Sequence, residues 1–302
     1  MHYQGLLGII FLVAMATPLA PAHAQAAAKL ESCYLPRIKE QVLCGQLQVP
    51  EDYEQPSARQ ISINYAVLPA IRENKKPDPL VILAGGPGQA ATELAAMIDR
   101  VFSDVRKQRD IVLIDQRGTG KSNPLSCQLS YVDELVKADD DVELTRIAGE
   151  CLAQFNDIDL TQYHTVNAVR DFEAVREHLG YSHVNLYGGS YGSRVGLVYL
   201  REAPASVRAT ILDAVAPPEV VVGPFGLHGA QSFNMLLDQC AASPDCAKTF
   251  PNLSQLYQET LQQLTDHPVA LTVKDPLSNE PTDMLITAGR FTSVMRVGLY
   301  HP

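Results

Sequence analysis

The stretch Gly188-Gly189-Ser190-Tyr191-Gly192 carries the strongest chemical signal in this sequence. A serine in a G-x-S-x-G pattern can act as the nucleophile of acyl transfer when a tight strand-to-helix turn projects its hydroxyl. The glycines have a steric reason: at such a turn the flanks must be small for Oγ to face a substrate. The pattern alone is weak, because a chain this long contains one by chance about one time in ten. Context strengthens it. Val184-Asn185-Leu186-Tyr187 before the motif reads as a buried strand, and Tyr191 to Glu202 after it reads as a helix. The alternative is a glycine-rich turn whose serine merely caps that helix.

A second motif agrees with the first. Gly85-Gly86-Pro87-Gly88 directly follows the apolar run Leu80-Val81-Ile82-Leu83-Ala84. Glycines there let the backbone turn sharply and aim N–H groups at a developing oxyanion. The expected hole combines the amide of Tyr191, next after the nucleophile, with that of Gly86. Phosphate binding is the rival use of such a loop. No G-K-[ST] follows Gly88, G-x-G-x-x-G is absent, and Gly118-Thr119-Gly120-Lys121-Ser122 lacks the first glycine of a phosphate loop. Nucleotide binding is therefore excluded. No C-x-x-C or His/Cys cluster suggests a metal, and no cofactor is expected.

These motifs need a scaffold, and the hydrophobic pattern supplies one. Leu43 to Val49 and Ile61 to Leu68 alternate with period two, which predicts a hairpin of half-buried strands across the turn from Pro50 to Gln60. Leu80–Ala84 and Ile111–Ile114 are continuously apolar, as strands covered on both faces are. Between them, helical spacing runs from Thr92 to Val105 (Leu94, Met97, Ile98, Val101). Thr165 is the expected N-cap of a helix carrying Val166, Val169, Phe172, Val175 and Leu179 and stopping at Gly180. A further strand is expected over Ala209–Asp213. Two leading strands followed by strand–helix alternation predict an open α/β sheet, mostly parallel, with flanking helices. After Ala214 the pattern changes. Pro217-Pro218 breaks the chain, and helices (Gln231 to Gln239, Leu253 to Thr265) and short strands (near Val269 to Val273 and Met284 to Thr287) read as a helical cap after the sixth strand.

The 302 residues carry 24 Lys+Arg against 34 Asp+Glu, a net charge of −10, and are 46% hydrophobic. That is a globular composition, and an acidic balance without basic clusters argues against nucleic acid or an anionic membrane as partner. The apolar run from Gly5 to Ala16, then Pro18, Pro21 and Ala22-His23-Ala24, reads as a signal peptide of residues 1–24. It lacks the usual leading Lys or Arg. About twelve apolar residues are short of the ~20 that span a bilayer, so export with cleavage and no lasting membrane anchor is expected. The mature chain then divides into a core over 25–216 and a cap over 217–302. Six cysteines in an exported, secreted or periplasmic chain point to disulfides. Neighbours along the sequence are expected to pair: Cys33 with Cys44, Cys127 with Cys151, Cys240 with Cys246.

Three motifs in this order make the resemblance specific. The Gly-Gly-Pro-Gly loop, Asp115-Gln116-Arg117-Gly118-Thr119-Gly120-Lys121-Ser122 and Gly188–Gly192 resemble the prolyl aminopeptidase and tripeptidyl aminopeptidase branch of the α/β-hydrolases. The stretch from Thr165 to Asp213 is also similar to that branch, including Asp171, Arg176 and Leu212-Asp213. The cysteines around the first strand and at Cys127/Cys151 resemble its secreted, tripeptidyl-type members. One departure is Ala84, where many relatives carry His. The resemblance implies an α/β-hydrolase fold and a serine exopeptidase acting on peptides with a free N-terminus. Ser190 would form the acyl-enzyme, and Asp115 and Arg117 would anchor a loop. Acidic groups of the cap (Glu219, Asp238 or Asp245) would hold the substrate's amino group. An esterase on small acyl esters, or a hydrolase fold used only for binding, remains open.

A serine nucleophile needs a base, and in this fold the triad runs Ser, Asp/Glu, His along the chain. His164, His178 and His183 precede the motif, His228 and His267 lie in cap-like sequence, and His301 has no following strand to hold it. Asp213 ends a strand where some α/β-hydrolases place the acid, although a structural role suits it better in this branch. The expectation is that both other triad members lie beyond residue 302, and that 1–302 alone is a fragment with little hydrolase activity. Substrate length, the preferred residue at the scissile bond and oligomeric state are not readable.

Overall fold

A computed structural model of the chain describes residues 30–127, 135–221, 225–275 and 278–300. The expected signal peptide lies outside these. Seven strands form the central sheet: β1 (Glu31–Cys33), β2 (Val42–Pro50), β3 (Gln60–Leu68), β4 (Leu80–Leu83), β5 (Ile111–Ile114), β6 (Val184–Gly189) and β7 (Val207–Asp213), in the order β1-β2-β3-β5-β4-β6-β7. β1, β2, β3 and β5 are antiparallel neighbours, whereas β4 runs parallel to β5 and β6, and β6 to β7. The reason for the continuous apolar runs is now visible. Val81, Leu83, Val112 and Leu186 pack on one face against α4 (Thr165–His178) and α5 (Tyr191–Glu202). Leu80, Ile82, Ile111 and Leu113 pack on the other against Ala95 and Ile98 of α1 (Ala95–Val101).

Several expectations need correction. β1 was not anticipated, so the strand ending at Asp213 is the seventh and not the sixth. It is only three residues long and is held to β2 by the Cys33–Cys44 disulfide, too short for any periodicity. The helix expected from Thr92 to Val105 breaks into a 3-10 turn (Ala91–Leu94), α1 and the one-turn α2 (Ser103–Arg106). The cap of α4 is His164 and not Thr165: the His164 ring nitrogen accepts from the Asn167 amide, and Thr165 is already helical. Inside the segment from Cys127 to Cys151 lies α3 (Asp141–Leu152), which buries no residue and therefore left no apolar stripe to read.

Past residue 224 the chain forms α6 (Phe225–Ala242), α7 (Pro244–Thr249), α8 (Leu253–Asp266), the antiparallel hairpin β8 (Val269–Lys274) and β9 (Pro281–Ile286), and α9 (Ala288–Gly298). None of these strands joins the central sheet. Disulfides link Cys127 to Cys151 and Cys240 to Cys246.

Buried polar anchors brace the sheet's carboxyl edge. Asp115, fully buried just after β5, accepts from the Thr92 amide and hydroxyl and from Asn64 Nδ2, each at 2.9 Å. It thereby ties the end of β5 to the turn that follows the glycine loop. Arg117 meets both Asp171 oxygens at 2.7 Å and also donates to the carbonyls of Glu51 and Gln162. Burial alone would lower the Arg117 pKa, but the hydrogen bonds and charge of Asp171 outweigh it and raise it.

Candidate active site

Ser190 sits where β6 turns into α5, with φ 56° and ψ −124°, a conformation that L-residues other than glycine rarely adopt. Its side chain makes no capping bond to the helix, and the residue is exposed. A capping role for this serine therefore has no support in the geometry. The Ser190 amide donates to the Asp213 carbonyl at 3.0 Å, which fixes the corner to the end of β7.

The small residues of the motif are dictated by close approach. A Cβ on Gly192 would collide with the Leu83 carbonyl oxygen and stand 3.0 Å from the Ala84 oxygen; one on Gly188 would collide with the Gly192 carbonyl. Helix α5 thus lies directly on the end of β4. At Gly189 the nearest atom to such a Cβ is the Tyr187 hydroxyl oxygen at 3.8 Å, an ordinary van der Waals contact that leaves room for a methyl group. The steric requirement falls on the two glycines the pattern specifies.

The glycine loop lies beside the serine. A Cβ on Gly85 would stand 3.6 Å from Ser190 Cβ. Gly86 has φ 107° and precedes a cis peptide to Pro87. Among the described residues, neither the Gly86 nor the Tyr191 amide donates to a loop or turn acceptor. Unengaged backbone donors are what an oxyanion requires. Ser190, Gly86, Gln89, Met97 and Tyr187 line one cavity of about 430 Å³, within the usual range for small-ligand sites. The Tyr187 hydroxyl donates to Asp213 at 2.8 Å, and that bond, with some burial, raises its pKa.

The structure does not bring every expected residue here. Glu219, Asp238 and Asp245 are exposed and none lines this cavity. The Asp213 carboxylate is engaged by Tyr187 rather than by a histidine. Among the described residues no histidine hydrogen-bonds to Ser190: the ring of His164 caps α4, that of His183 meets Ser182, and that of His228 meets Gln231. No group of metal-ligating side chains occurs among the described residues. Sequence reasoning missed Ser193, whose hydroxyl donates to the Ser190 carbonyl at 2.6 Å; its position three residues into a helix was the available signal.

Comparison with known proteins bears on this geometry. The family model described as alpha/beta hydrolase fold matches residues 78–282. Serine protease Hip1 of Mycobacterium tuberculosis is 31% identical over 220 residues, covering 68% of this chain and 42% of its own length. The tripeptidyl aminopeptidase of Streptomyces lividans is 29% identical over 193 residues, covering 59% and 36%. A proline iminopeptidase of Arabidopsis thaliana is 32% identical over 145 residues, covering 47% and 28%. The chain spans less than half the length of these curated relatives.

Proposed function

The chain belongs to the alpha/beta hydrolase fold family, and from that premise we propose that it carries the nucleophile and oxyanion hole of an exported serine aminopeptidase. The observation that carries the reading is the exposed Ser190, held at positive φ beside a glycine loop with two unused amides. In the proposed mechanism Ser190 Oγ attacks the scissile carbonyl carbon and its proton passes to a histidine base. The carbonyl oxygen becomes an oxyanion between the Gly86 and Tyr191 amides. Collapse breaks the C–N bond, the amine leaves with the proton held by the base, and an ester on Ser190 remains. Water then repeats the sequence and releases the acid. Each amide donor is worth about 3 kcal/mol of barrier in comparable sites.

The base and its acid partner are assigned to residues outside the described ones. Peptidase chemistry is favoured over ester hydrolysis by the named activities of the relatives, a serine protease, a tripeptidyl aminopeptidase and a proline iminopeptidase. Three disulfides suit an oxidising compartment, and no described helix is long and apolar enough to cross a membrane. The region over 217–302 is proposed as a cap. The test compares the whole protein on tripeptidyl- and aminoacyl-arylamides with free N-termini, the same compounds N-acetylated, and p-nitrophenyl esters. Preference for the free N-terminus supports an aminopeptidase. Turnover of esters alone would replace that reading with an esterase.

A further inference from the structure

The Ser190 carbonyl and the Tyr191 amide belong to one peptide unit. That unit is trans, so its C=O and N–H point in opposite directions and neither can turn without the other. Whatever holds the Ser190 oxygen therefore aims the Tyr191 N–H. Two donors hold it, both from Ser193: the amide at 2.9 Å and the side-chain hydroxyl at 2.6 Å.

The hydroxyl is itself fixed. Ser193 is fully buried, and its Oγ accepts the Ala216 amide at 2.9 Å. A hydroxyl has one proton; with Ala216 donating into the oxygen, that proton is directed to Ser190. Ala216 is held in turn by the neighbouring residue of the same helix: the Arg194 guanidinium donates to the carbonyls of Ala216 at 3.3 Å and Pro217 at 2.8 Å. The chain leaving β7 is thus bound to the turn that carries the serine. The Ser193 amide already closes the first turn on the Ser190 carbonyl, so the buried hydroxyl is a second donor to the same oxygen.

We propose that Ser193 is a positioning residue that fixes the Ser190–Tyr191 peptide plane and thereby aims the Tyr191 amide at the oxyanion. The proposal rests on the assignment of Ser190 as nucleophile. Deleting an oxyanion donor costs about 10²–10³ in kcat; mis-aiming one is expected to cost less, about ten- to thirtyfold. Because an oxyanion exists only beyond the ground state, the loss falls on kcat with KM nearly unchanged.

The experiment measures kcat and KM of the whole protein on an arylamide substrate for Ser193→Ala and Ser193→Thr, with active sites counted by fluorophosphonate titration. The inhibition constant of a peptidyl trifluoromethyl ketone, which forms a tetrahedral adduct, is measured alongside. For Ser193→Ala the proposal expects kcat per titrated site to fall at least tenfold, KM to stay within twofold, and the ketone to weaken in parallel. Restoring a hydroxyl with Thr recovers part of both. Unchanged kcat per titrated site in Ser193→Ala, with only a lower melting temperature, would overturn the proposal by reducing Ser193 to a structural role. Retained activity in Ser190→Ala would instead overturn the nucleophile assignment beneath it.

Discussion

Replacing Ser190 by glycine should make the protein more stable than replacing it by alanine. At φ 56° and ψ −124° any Cβ is strained, and positions of this kind cost about 1–3 kcal/mol. Glycine removes that strain but leaves a freer unfolded chain, a penalty of about 0.5–1 kcal/mol. At mid-range the difference should favour Ser190→Gly by about 1 kcal/mol. Alanine is the right reference because it keeps the Cβ, and because the hydroxyl makes no capping bond whose loss would confuse the comparison. For a protein of this size 1 kcal/mol moves the melting temperature by about 2–4 °C, so a gap of about that size is expected. The chain has no tryptophan, so unfolding is best followed by far-UV circular dichroism. Both variants should be inactive. A Ser190→Gly variant that is folded yet no more stable than Ser190→Ala would refute the claim that the corner stores strain to present its hydroxyl.

Other consequences are as direct. Gly192→Ala should lower stability by about 1–3 kcal/mol through overpacking against the end of β4, whereas Gly189→Ala, where an added Cβ makes only ordinary contact with Tyr187, should change the melting temperature by less than Gly192→Ala does. Asp171→Asn leaves the buried Arg117 guanidinium without its counter-charge and should cost about 3–5 kcal/mol in urea titrations. For Glu173, burial raises the pKa, but Arg176, Tyr199 and Ser206 together pull it below the ordinary value; Asp110 is likewise lowered, by Lys75, the Ala70 amide and Tyr181 against burial. Such groups stabilise the fold above their unfolded pKa of about 4 and lose that contribution as pH falls through the folded value. The urea midpoint should therefore hold from pH 7 to about 5 and drop below about 4, with a shallower drop in Glu173→Gln. Reducing the Cys33–Cys44 link, or replacing both residues by Ala, frees a loop of 11 residues in sequence separation and should cost about 3 kcal/mol, read by the same titration.

Much of the scaffold was legible because burial on both faces leaves runs such as Leu80–Leu83 and Ile111–Ile114 that fit little else. Helix α5 was readable to its ends, since Gly188–Gly192 marks its start and Pro204 follows its stop. The strand-to-helix corner at Ser190 was legible for the same reason: glycine placement records where backbones touch. What was hidden depends on contacts distant in sequence. Nothing near β1 announces a three-residue strand stapled by a disulfide. The cap of α4 went to His164, one residue earlier than Thr165, because an imidazole nitrogen can accept as a hydroxyl does. Ser193 looked like an ordinary helix residue until its second partner, Ala216, was seen 23 residues further on, across the β6–β7 edge. The cap acids were not resolved by sequence, and none of them lines the cavity at Ser190.

The central claim is that the hydroxyl at 190 becomes covalently bonded to substrate. Treating the whole protein with a fluorophosphonate and mapping the adduct by peptide mass spectrometry addresses it at the level of a single atom. A stoichiometric adduct on the peptide containing Ser190, absent in Ser190→Ala, is the predicted result; an adduct on another residue, or a folded protein that takes up none, would contradict it.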